Sequence, residues 1–130
     1  MTNVRTAAAV LGATSLLAAP LSLVAAPAHA DGPEKERSFR VAGADVDFHV
    51  EKEDGRFDVD VDVDDAKPGS KWRIVLRHDG KVFHNKVHRA DSDGDIDVDK
   101  RRADTKGADV FKVTVKKVGG KSKSSTIRMR

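Results

Sequence analysis

A ten-residue stretch in the middle of the chain constrains its fold more than any other. The segment RFDVDVDVDD, residues 56–65, places an acid at every second position and an apolar residue between most of them. A period of two is that of a β-strand, in which successive side chains point to opposite faces. The segment therefore predicts a strand with a valine-lined inner face and an aspartate-lined outer face.

Similar short alternating segments, separated by turn signals, follow one another from residue 44 to residue 130. We expect seven strands, over residues 45–51, 56–64, 71–78, 81–88, 94–99, 109–117 and 123–129. The Asp79-Gly80 dipeptide suits a two-residue type I′ hairpin. Because this region has no convincing helix, the sequence predicts an all-β, seven-stranded antiparallel sandwich. One shared core is expected from Phe48, Val59, Val61, Trp72, Ile74, Leu76, Ile96, Phe111, Val113 and Val115.

The first thirty residues have the features of an export signal. They contain one cation, Arg5, then an apolar run, and they end in Ala28-His29-Ala30, which has the small-x-small form that a signal peptidase cleaves. An uncleaved anchor is the alternative, although the prolines and small residues make this segment a poor membrane span. We therefore predict a signal peptide over 1–30, a secreted, extracellular protein, and no transmembrane span after removal of the signal.

The segment after the predicted cleavage site is charged and lacks hydrophobic periodicity. We expect a flexible charged leader over residues 31–43 and the β-sandwich domain over residues 44–130. The chain contains no cysteine, which excludes disulfides and thiol chemistry.

Several features together resemble a known group of proteins. Three tight hairpins and two longer connections match the strand order of immunoglobulin-like and fibronectin type III-like sandwiches, and Trp72 lies where such domains keep a core tryptophan. The Ala-rich signal ending in AHA, the absence of cysteine, and the segments WRIVLRHDGKVFHNKVHRADSDGDIDV and RRADTKGADVFKVTV resemble small secreted proteins of high-GC Gram-positive bacteria. The resemblance implies export and an immunoglobulin-like sandwich, and it carries over no active site.

Charge is nearly balanced overall but strongly segregated along the chain. Without Arg5, 23 basic residues remain against 21 acidic ones, a net charge of +2, which predicts no general attraction to nucleic acid or membrane. The net charge is −8 over residues 31–65, +6 over 66–90, −5 over 91–99 and +9 over 100–130. If the first, second and fifth predicted strands share a sheet, the acidic strands form one sheet and the basic strands form the other.

This arrangement predicts a basic sheet face formed by Arg73, Arg77, Lys112, Lys116 and Arg128. Such a face can hold polyanions by charge, and outside a cell these would be anionic cell-envelope polymers. The segment KRRADTK is expected to add Lys100, Arg101, Arg102 and Lys106 at one end of the sandwich. Two oppositely charged faces also predict weak self-association at low salt. The alternative is that both faces are simply solvated surface.

Two clusters are candidates for metal binding. Asp91, Asp93 and Asp95 copy the first three ligand positions of an EF-hand loop, but Ile96 and Arg102 occupy the positions that need glycine and glutamate. A calcium-stabilised extracellular module using the Asp-rich face is therefore the alternative function. Three histidines flank the predicted hairpin, and neighbouring lysines favour surface histidines over a zinc or copper site. These histidines are His78, His84 and His88.

No catalytic motif is present. The sequence has no G-x-S-x-G, no H-E-x-x-H and no phosphate-binding glycine loop. We therefore predict a secreted, non-enzymatic binding or structural module at the cell exterior, without a cofactor, with the calcium-stabilised module as the second alternative and an enzyme as the third. We expect no sequence-specific binding of nucleic acid.

Overall fold

Eight β-strands make up the ordered elements of residues 33–130, the part of the chain that this computed structural model describes. The strands are β1 (Glu34–Val41), β2 (Ala44–Glu53), β3 (Arg56–Asp64), β4 (Lys71–His78), β5 (Lys81–Arg89), β6 (Ile96–Ala103), β7 (Asp109–Lys117) and β8 (Ser122–Met129). The all-β prediction is confirmed, with eight strands in place of seven. The predicted signal peptide lies outside the described residues. Within the described part, no helix is long and apolar enough to cross a membrane.

The strands form two four-stranded antiparallel sheets. The first has the order β1-β2-β3-β6, and the second has the order β5-β4-β7-β8. In the first sheet Val61 lies opposite Phe48 on one side and Val98 on the other. The predicted division of the strands between two sheets is therefore correct.

One hydrophobic core fills the space between the sheets. Alternate residues of the inner strands are buried, as the period of two requires, and all ten predicted core residues belong to this core. Trp72 is 1% exposed, and its indole Nε1 donates a hydrogen bond to Ser70 Oγ at 2.9 Å. Residues 33–130 form a compact unit with a hydrophobic core of its own, which is the property of a domain that folds independently.

The prediction of a flexible leader over residues 31–43 is wrong for the segment that forms β1. This strand pairs with β2 along its whole length, from Glu34 opposite Glu51 to Val41 opposite Ala44. Val41 is buried in the core, and the Lys35 Nζ donates to the Arg128 carbonyl of β8 at 2.9 Å. The strand thereby covers the edge of β2 and connects the two sheets on this side of the sandwich.

The connections between strands explain two further details of the fold. The β4–β5 hairpin turns through Asp79 and Gly80, which both have positive φ (50° and 85°), as the predicted type I′ turn requires. Between β5 and β6, Gly94 has a φ of 81° and packs so closely on Ala66 that a Cβ would collide with the Ala66 carbonyl oxygen. This close approach holds the β5–β6 connection against the end of β3.

Candidate functional site

The second sheet presents a continuous basic outer face. Arg73 lies opposite Lys116, and Arg77 lies opposite Lys112, on the neighbouring strands β4 and β7. Arg128 projects from the adjacent strand β8, and all but the partly buried Arg77 are exposed. We call these five residues the basic face: Arg73, Arg77, Lys112, Lys116 and Arg128. The structure thus brings together on one surface all five residues predicted for polyanion binding.

The partners of the basic face are neutral. The Arg73 guanidinium donates to Asn85 Oδ1 at 2.7 Å, and Lys116 Nζ donates to the Gly120 carbonyl oxygen at 2.6 Å. Between the two cationic rows, Thr114 and Ser124 hydrogen-bond to each other at 2.8 Å. The outward residues of β4, β7 and β8 include no acid, so nothing on these strands neutralises the face.

The first sheet presents the opposite charge. Its residues form cross-strand rows, of which one runs Asp47–Asp62–Asp97 and the next runs His49–Asp60–Asp99. We call the outward carboxylates of this sheet the acidic face: Glu34, Glu36, Asp45, Asp47, Glu51, Glu53, Asp58, Asp60, Asp62, Asp64, Asp97 and Asp99. The expected segregation of charge between two outer faces is therefore present.

Crowding of like charges perturbs the centre of the acidic face. Partial burial, together with the carboxylate of Asp99, raises the pKa of Asp60 to about 6. Partial burial and the carboxylate of Asp97 likewise raise the pKa of Asp62 to about 6. Burial lowers the pKa of His49, but the hydrogen bond and charge of Glu34 outweigh it, with Asp60 adding to them, so the net shift is upward. The centre of this face therefore holds protons more tightly than isolated carboxylates would.

The arginines that pair with the acidic face lie on the edge strands of the first sheet. On β1, Arg40 pairs with Asp45 at 2.8 Å, and on β6, Arg101 pairs with Asp58 at 3.2 Å. Within residues 33–130, no lysine or arginine forms an ion pair with the central carboxylates Asp62, Asp97 and Asp99. Apart from the His49 imidazole, whose Nδ1 lies 3.7 Å from Asp60 Oδ2, the middle of the acidic face is thus left without a cationic partner from the described chain.

The segment KRRADTK does not extend the basic face as expected. Strand β6 continues to Ala103, so that Arg101 lies on the acidic face beside Asp58. Arg102 points the other way, with its guanidinium carbon 4.7 Å from the ring centroid of Phe83. The alternation of the longer strand separates these neighbouring cations.

Asp91, Asp93 and Asp95 come together in the loop before β6, where their carboxylate oxygens lie within 4.8 Å of one another. All three residues are exposed, and Asp91 Oδ1 already accepts the backbone N–H groups of Asp93 and Asp95, each at 2.9 Å. The carboxylate of Asp91 thus closes an aspartate turn. The loop continues the acidic face, because the Asp95 carboxylate is near that of Asp64 and, with burial, raises the pKa of Asp64.

A buried polar network lies at one end of the sandwich, where the prediction of surface histidines is wrong. His78 is 4% exposed, and its Nε2 lies 2.7 Å from Oδ1 of the fully buried Asp109. Thr105 Oγ1 donates to the same oxygen, and Arg102 Nε lies 3.4 Å from His78 Nδ1. Burial raises the pKa of Asp109, but the hydrogen bonds from Thr105 and His78 outweigh it and lower the pKa below its ordinary value.

The donors and acceptors of this network define the role of His78. Because a guanidinium can only donate, His78 Nδ1 is the acceptor and Nε2 carries the proton donated to Asp109. Both ring nitrogens therefore form hydrogen bonds within the protein. The imidazole also stacks on Phe111, with ring centroids 4.3 Å apart. The geometry is that of a structural hydrogen-bond network.

His84 and His88 form a second pair, on β5. Their Nε2 atoms are 2.9 Å apart, so that one neutral ring donates to the other. Burial, together with the nearby Lys86 and Lys100, lowers the pKa of both histidines. His84 is 6% exposed and is therefore not a surface histidine as predicted. Burial and the lysines thus favour the uncharged form of both rings, and the lysines oppose the approach of a cation.

Comparison with known proteins found no match for this chain. No protein-family model matches it, no curated protein matches it, and no solved structure matches it. The resemblance to secreted immunoglobulin-like proteins of high-GC Gram-positive bacteria stays a prediction.

Sequence reasoning found both charged faces but missed the buried network. A histidine in an alternating strand suits either face, because its ring is both apolar and polar. The alternation along β4 could have indicated that His78 is buried. His78 lies at the same alternate positions as the core residues Trp72, Ile74 and Leu76. Asp109 likewise alternates with the core residues Phe111 and Val113 on β7. Two polar residues that both point into the core could have indicated a buried hydrogen-bonded pair.

Proposed function

We propose that this protein is a secreted, non-enzymatic binding module that holds anionic polymers on its basic face. The observation that carries the proposal is the cross-strand pairing of cations on β4 and β7, Arg73 with Lys116 and Arg77 with Lys112, with no acid among the outward residues of β4, β7 and β8. A linear polyanion could neutralise several of these charges at once. The predicted export signal would deliver the domain to anionic cell-envelope polymers.

The geometry of a sheet favours a polymer over a small anion. Paired cations in one row are about 5 Å apart across the strands, and the two rows are about 13 Å apart along β4. One phosphate or carboxylate cannot contact both rows, whereas successive groups of a chain can. Long, flexible lysine and arginine side chains adapt to variable spacing between the anionic groups of a polymer. The ligand is therefore selected by its charge and length, and no base sequence is recognised.

Binding would also relieve a cost within the free domain. Like charges directly opposite each other on a sheet are destabilising by roughly 0.2–1 kcal/mol per pair. The basic face carries two such pairs on neighbouring strands. Because the repulsion is present before binding and disappears when an anion lies between the cations, its relief adds to the attraction.

A salt titration of affinity for soluble polyphosphate tests this proposal. Each phosphate contact contributes about −0.7 to the slope of log affinity against log salt, by analogy with single-stranded nucleic acid, so five contacts predict about −3.5. The variant Arg73→Gln/Lys112→Gln should reduce the slope to about −2, since two contacts are removed. The matched control Lys67→Gln/Lys106→Gln removes the same charge from exposed loops at opposite ends of the sandwich.

The control separates a defined face from general electrostatic attraction. We expect the control variant to retain nearly the full affinity and slope of the unmodified domain. Equal losses in both variants would show that net charge alone determines binding. No measurable binding at about 10 mM salt, where screening is weakest, would overturn the proposal.

The calcium-stabilised module remains the second candidate. The three loop carboxylates within 4.8 Å of one another are the observation that favours it. Extracellular calcium modules bind in the range of about 0.1–1 mM, so a melting curve at about 1 mM Ca²⁺, compared with Mg²⁺, tests this candidate. A rise in melting temperature with Ca²⁺ alone, absent from Asp93→Asn, would support a specific site. Equal small effects of both ions would limit the cation to screening the acidic face.

A further inference from the structure

We propose that copies of this domain stack on one another, the acidic face of one copy lying against the basic face of the next. The two faces belong to opposite sheets of one sandwich and therefore point in opposite directions. Each copy can then use both faces at once. The contact is heterologous, so that it repeats in an open-ended stack and does not close at a dimer.

The spacing of the charges supports this partner. On the basic face, the two cationic rows are separated by four residues along β4, about 13 Å. On the acidic face, Asp60 and Asp64 are separated by the same number of residues along β3. Both spacings equal four residues of β-strand rise. The two cationic rows of one copy can therefore face two carboxylate rows of the next copy, with one carboxylate row between them. Complementarity follows from the common geometry of the sheets.

The lengths of the side chains also fit this contact. Aspartate carboxylates lie close to the backbone of β3 and cannot spread apart. The basic face carries arginine and lysine, whose long stems extend a charge well beyond the sheet. Cations of one copy can therefore reach between the short carboxylates of another without close contact between backbones.

The central carboxylates are the natural targets of these cations. Arg40 and Arg101 already occupy the edges of the acidic face, through Asp45 and Asp58. In the described chain, Asp62, Asp97 and Asp99 lack any ion pair with a lysine or arginine. A second copy would supply the missing countercharge at the place where like charges are most crowded.

The size of the contact predicts its strength. Four strands of about eight residues cover about 19 by 26 Å, or roughly 500 Å² per copy. The total of roughly 1,000 Å² lies at the lower limit of specific interfaces and in the range of weak, transient ones. Since the attraction is electrostatic and exposed to solvent, it should weaken sharply between about 10 mM and about 150 mM salt.

Two variants that each lose one face test the inference by complementation, using residues 31–130. Arg73→Glu/Lys112→Glu removes the basic face and keeps the acidic one. Asp60→Lys/Asp97→Lys removes the acidic face, because each new lysine lies opposite a remaining central aspartate, Asp99 or Asp62. Circular dichroism and a cooperative melt first establish that each variant is folded. If the first variant does not fold, Arg73→Gln/Lys112→Gln replaces it.

Sedimentation velocity at about 10 mM salt then measures association. We expect the unmodified domain to show a mass above that of the monomer that rises with concentration, and each variant alone to be a monomer. An equimolar mixture should form a 1:1 complex and stop there, since one usable contact remains. A monomeric unmodified domain, self-association by either variant alone, or a mixture that stays monomeric would overturn the inference. Polyphosphate is absent from this measurement, so its outcome is independent of the proposed function.

Discussion

Strands β3 and β7 occupy equivalent interior positions of the two sheets, and each contains nine residues. Their inner faces are similar, with Val59 and Val61 on β3 and Val113 and Val115 on β7 in one core. Their outer faces are opposite, since β3 presents four aspartates and β7 presents Lys112 and Lys116. The inner residues determine the fold, whereas the outer positions are free to carry charge of either sign.

The two outer faces also differ in how charge is held. A carboxylate on a short aspartate stem stays within about 5 Å of its cross-strand neighbour. Lysine and arginine can spread into solvent and so reduce their repulsion without removing it. Partial burial, together with this crowding, raises the pKa of Asp60 and Asp62 to about 6 at the centre of the acidic face. The acidic face is the more strained of the two and the more sensitive to pH.

The largest expected loss of stability comes from a substitution in the core that the two sheets share. Trp72→Ala should destabilise the domain by about 3–5 kcal/mol, because it empties a large volume in the common core. Chemical denaturation monitored by circular dichroism measures the loss. Val87→Ala, at a residue 44% exposed on the second sheet, is the control and should change stability by no more than about 0.5 kcal/mol. Equal effects of the two substitutions would show that Trp72 does not join the sheets.

The next effect concerns the connection between the sheets. Gly94→Ala should cost more than the roughly 1–3 kcal/mol of a strained positive φ, because the added Cβ would also collide with the Ala66 carbonyl oxygen. Gly119→Ala is a matched control, since Gly119 has a φ of 80° and no atom within 4 Å of an added Cβ. Urea denaturation of both variants separates the collision from the strain. Equal losses would contradict the close packing of the loop on Ala66.

A smaller effect is the dependence of stability on pH, which comes from the titratable groups of the acidic face. Asp60 and Asp62 have pKa values raised from 3.8 to about 6, so the folded state binds more protons than the unfolded state in this window. Their stabilising contribution is complete below about pH 4 and is lost as the pH rises through about 6. Protons on His49, whose pKa is also raised, act in the same direction. The melting temperature should therefore be higher at about pH 5 than at about pH 7.5.

The groups facing these two aspartates determine this result. His49 and Asp99 lie opposite Asp60, while Asp47 and Asp97 lie opposite Asp62. The lowered pKa values of Asp109, His84 and His88 act in the other direction. The contribution of the two histidines is lost as the pH falls from the ordinary value of 6.5 through their lowered pKa values, and that of Asp109 is lost as the pH falls through its own lowered value. Stability should thus pass through a maximum on the acidic side of neutrality. A melting temperature that rises steadily from about pH 5 to about pH 7.5 would contradict the crowding of the acidic face.

The smallest effect compares single charges on the two faces. Asp62→Asn should stabilise the domain at neutral pH by a few tenths of a kcal/mol, up to about 1 kcal/mol, by removing a carboxylate flanked by like charges. Lys112→Gln removes one charge from the basic face and should have less effect, because the lysine can already move away from Arg77. Differential scanning calorimetry at low salt measures both variants. A greater gain in stability from Lys112→Gln than from Asp62→Asn would contradict the claim that repulsion is stronger on the acidic face.

Sequence reasoning was sufficient wherever burial alternates cleanly with charge. The alternation in β3, β4 and β7 predicts both the inner and the outer face of each strand, because a shift of one residue would expose every valine. The same parity places the five cations of the basic face correctly. Hairpins account for the pairs β2–β3, β4–β5 and β7–β8, whereas the expectation that β6 lies beside β3 comes from the resemblance to immunoglobulin-like sandwiches.

The remaining features depend on contacts that alternation does not encode. Strand β1 begins with the polar run EKERS, and its core contacts come late, from Phe39 and Val41. Its hairpin uses Ala42 at a φ of 49°, a conformation that alanine seldom adopts, so the sequence carries only a weak turn signal there. The strand forms because the open edge of β2 supplies hydrogen bonds along its whole length.

The most direct test of the central claim is to map polyphosphate binding by NMR. Amide chemical shifts of residues 31–130 are followed as polyphosphate is added, at a salt concentration at which the domain alone sediments as a monomer. Binding on one face of a segregated sandwich predicts that the changes concentrate on β4, β7 and β8 around Arg73, Arg77 and Lys112, while the central rows of β2 and β3 stay unchanged. Changes spread equally over both sheets, or confined to the loops, would contradict the account.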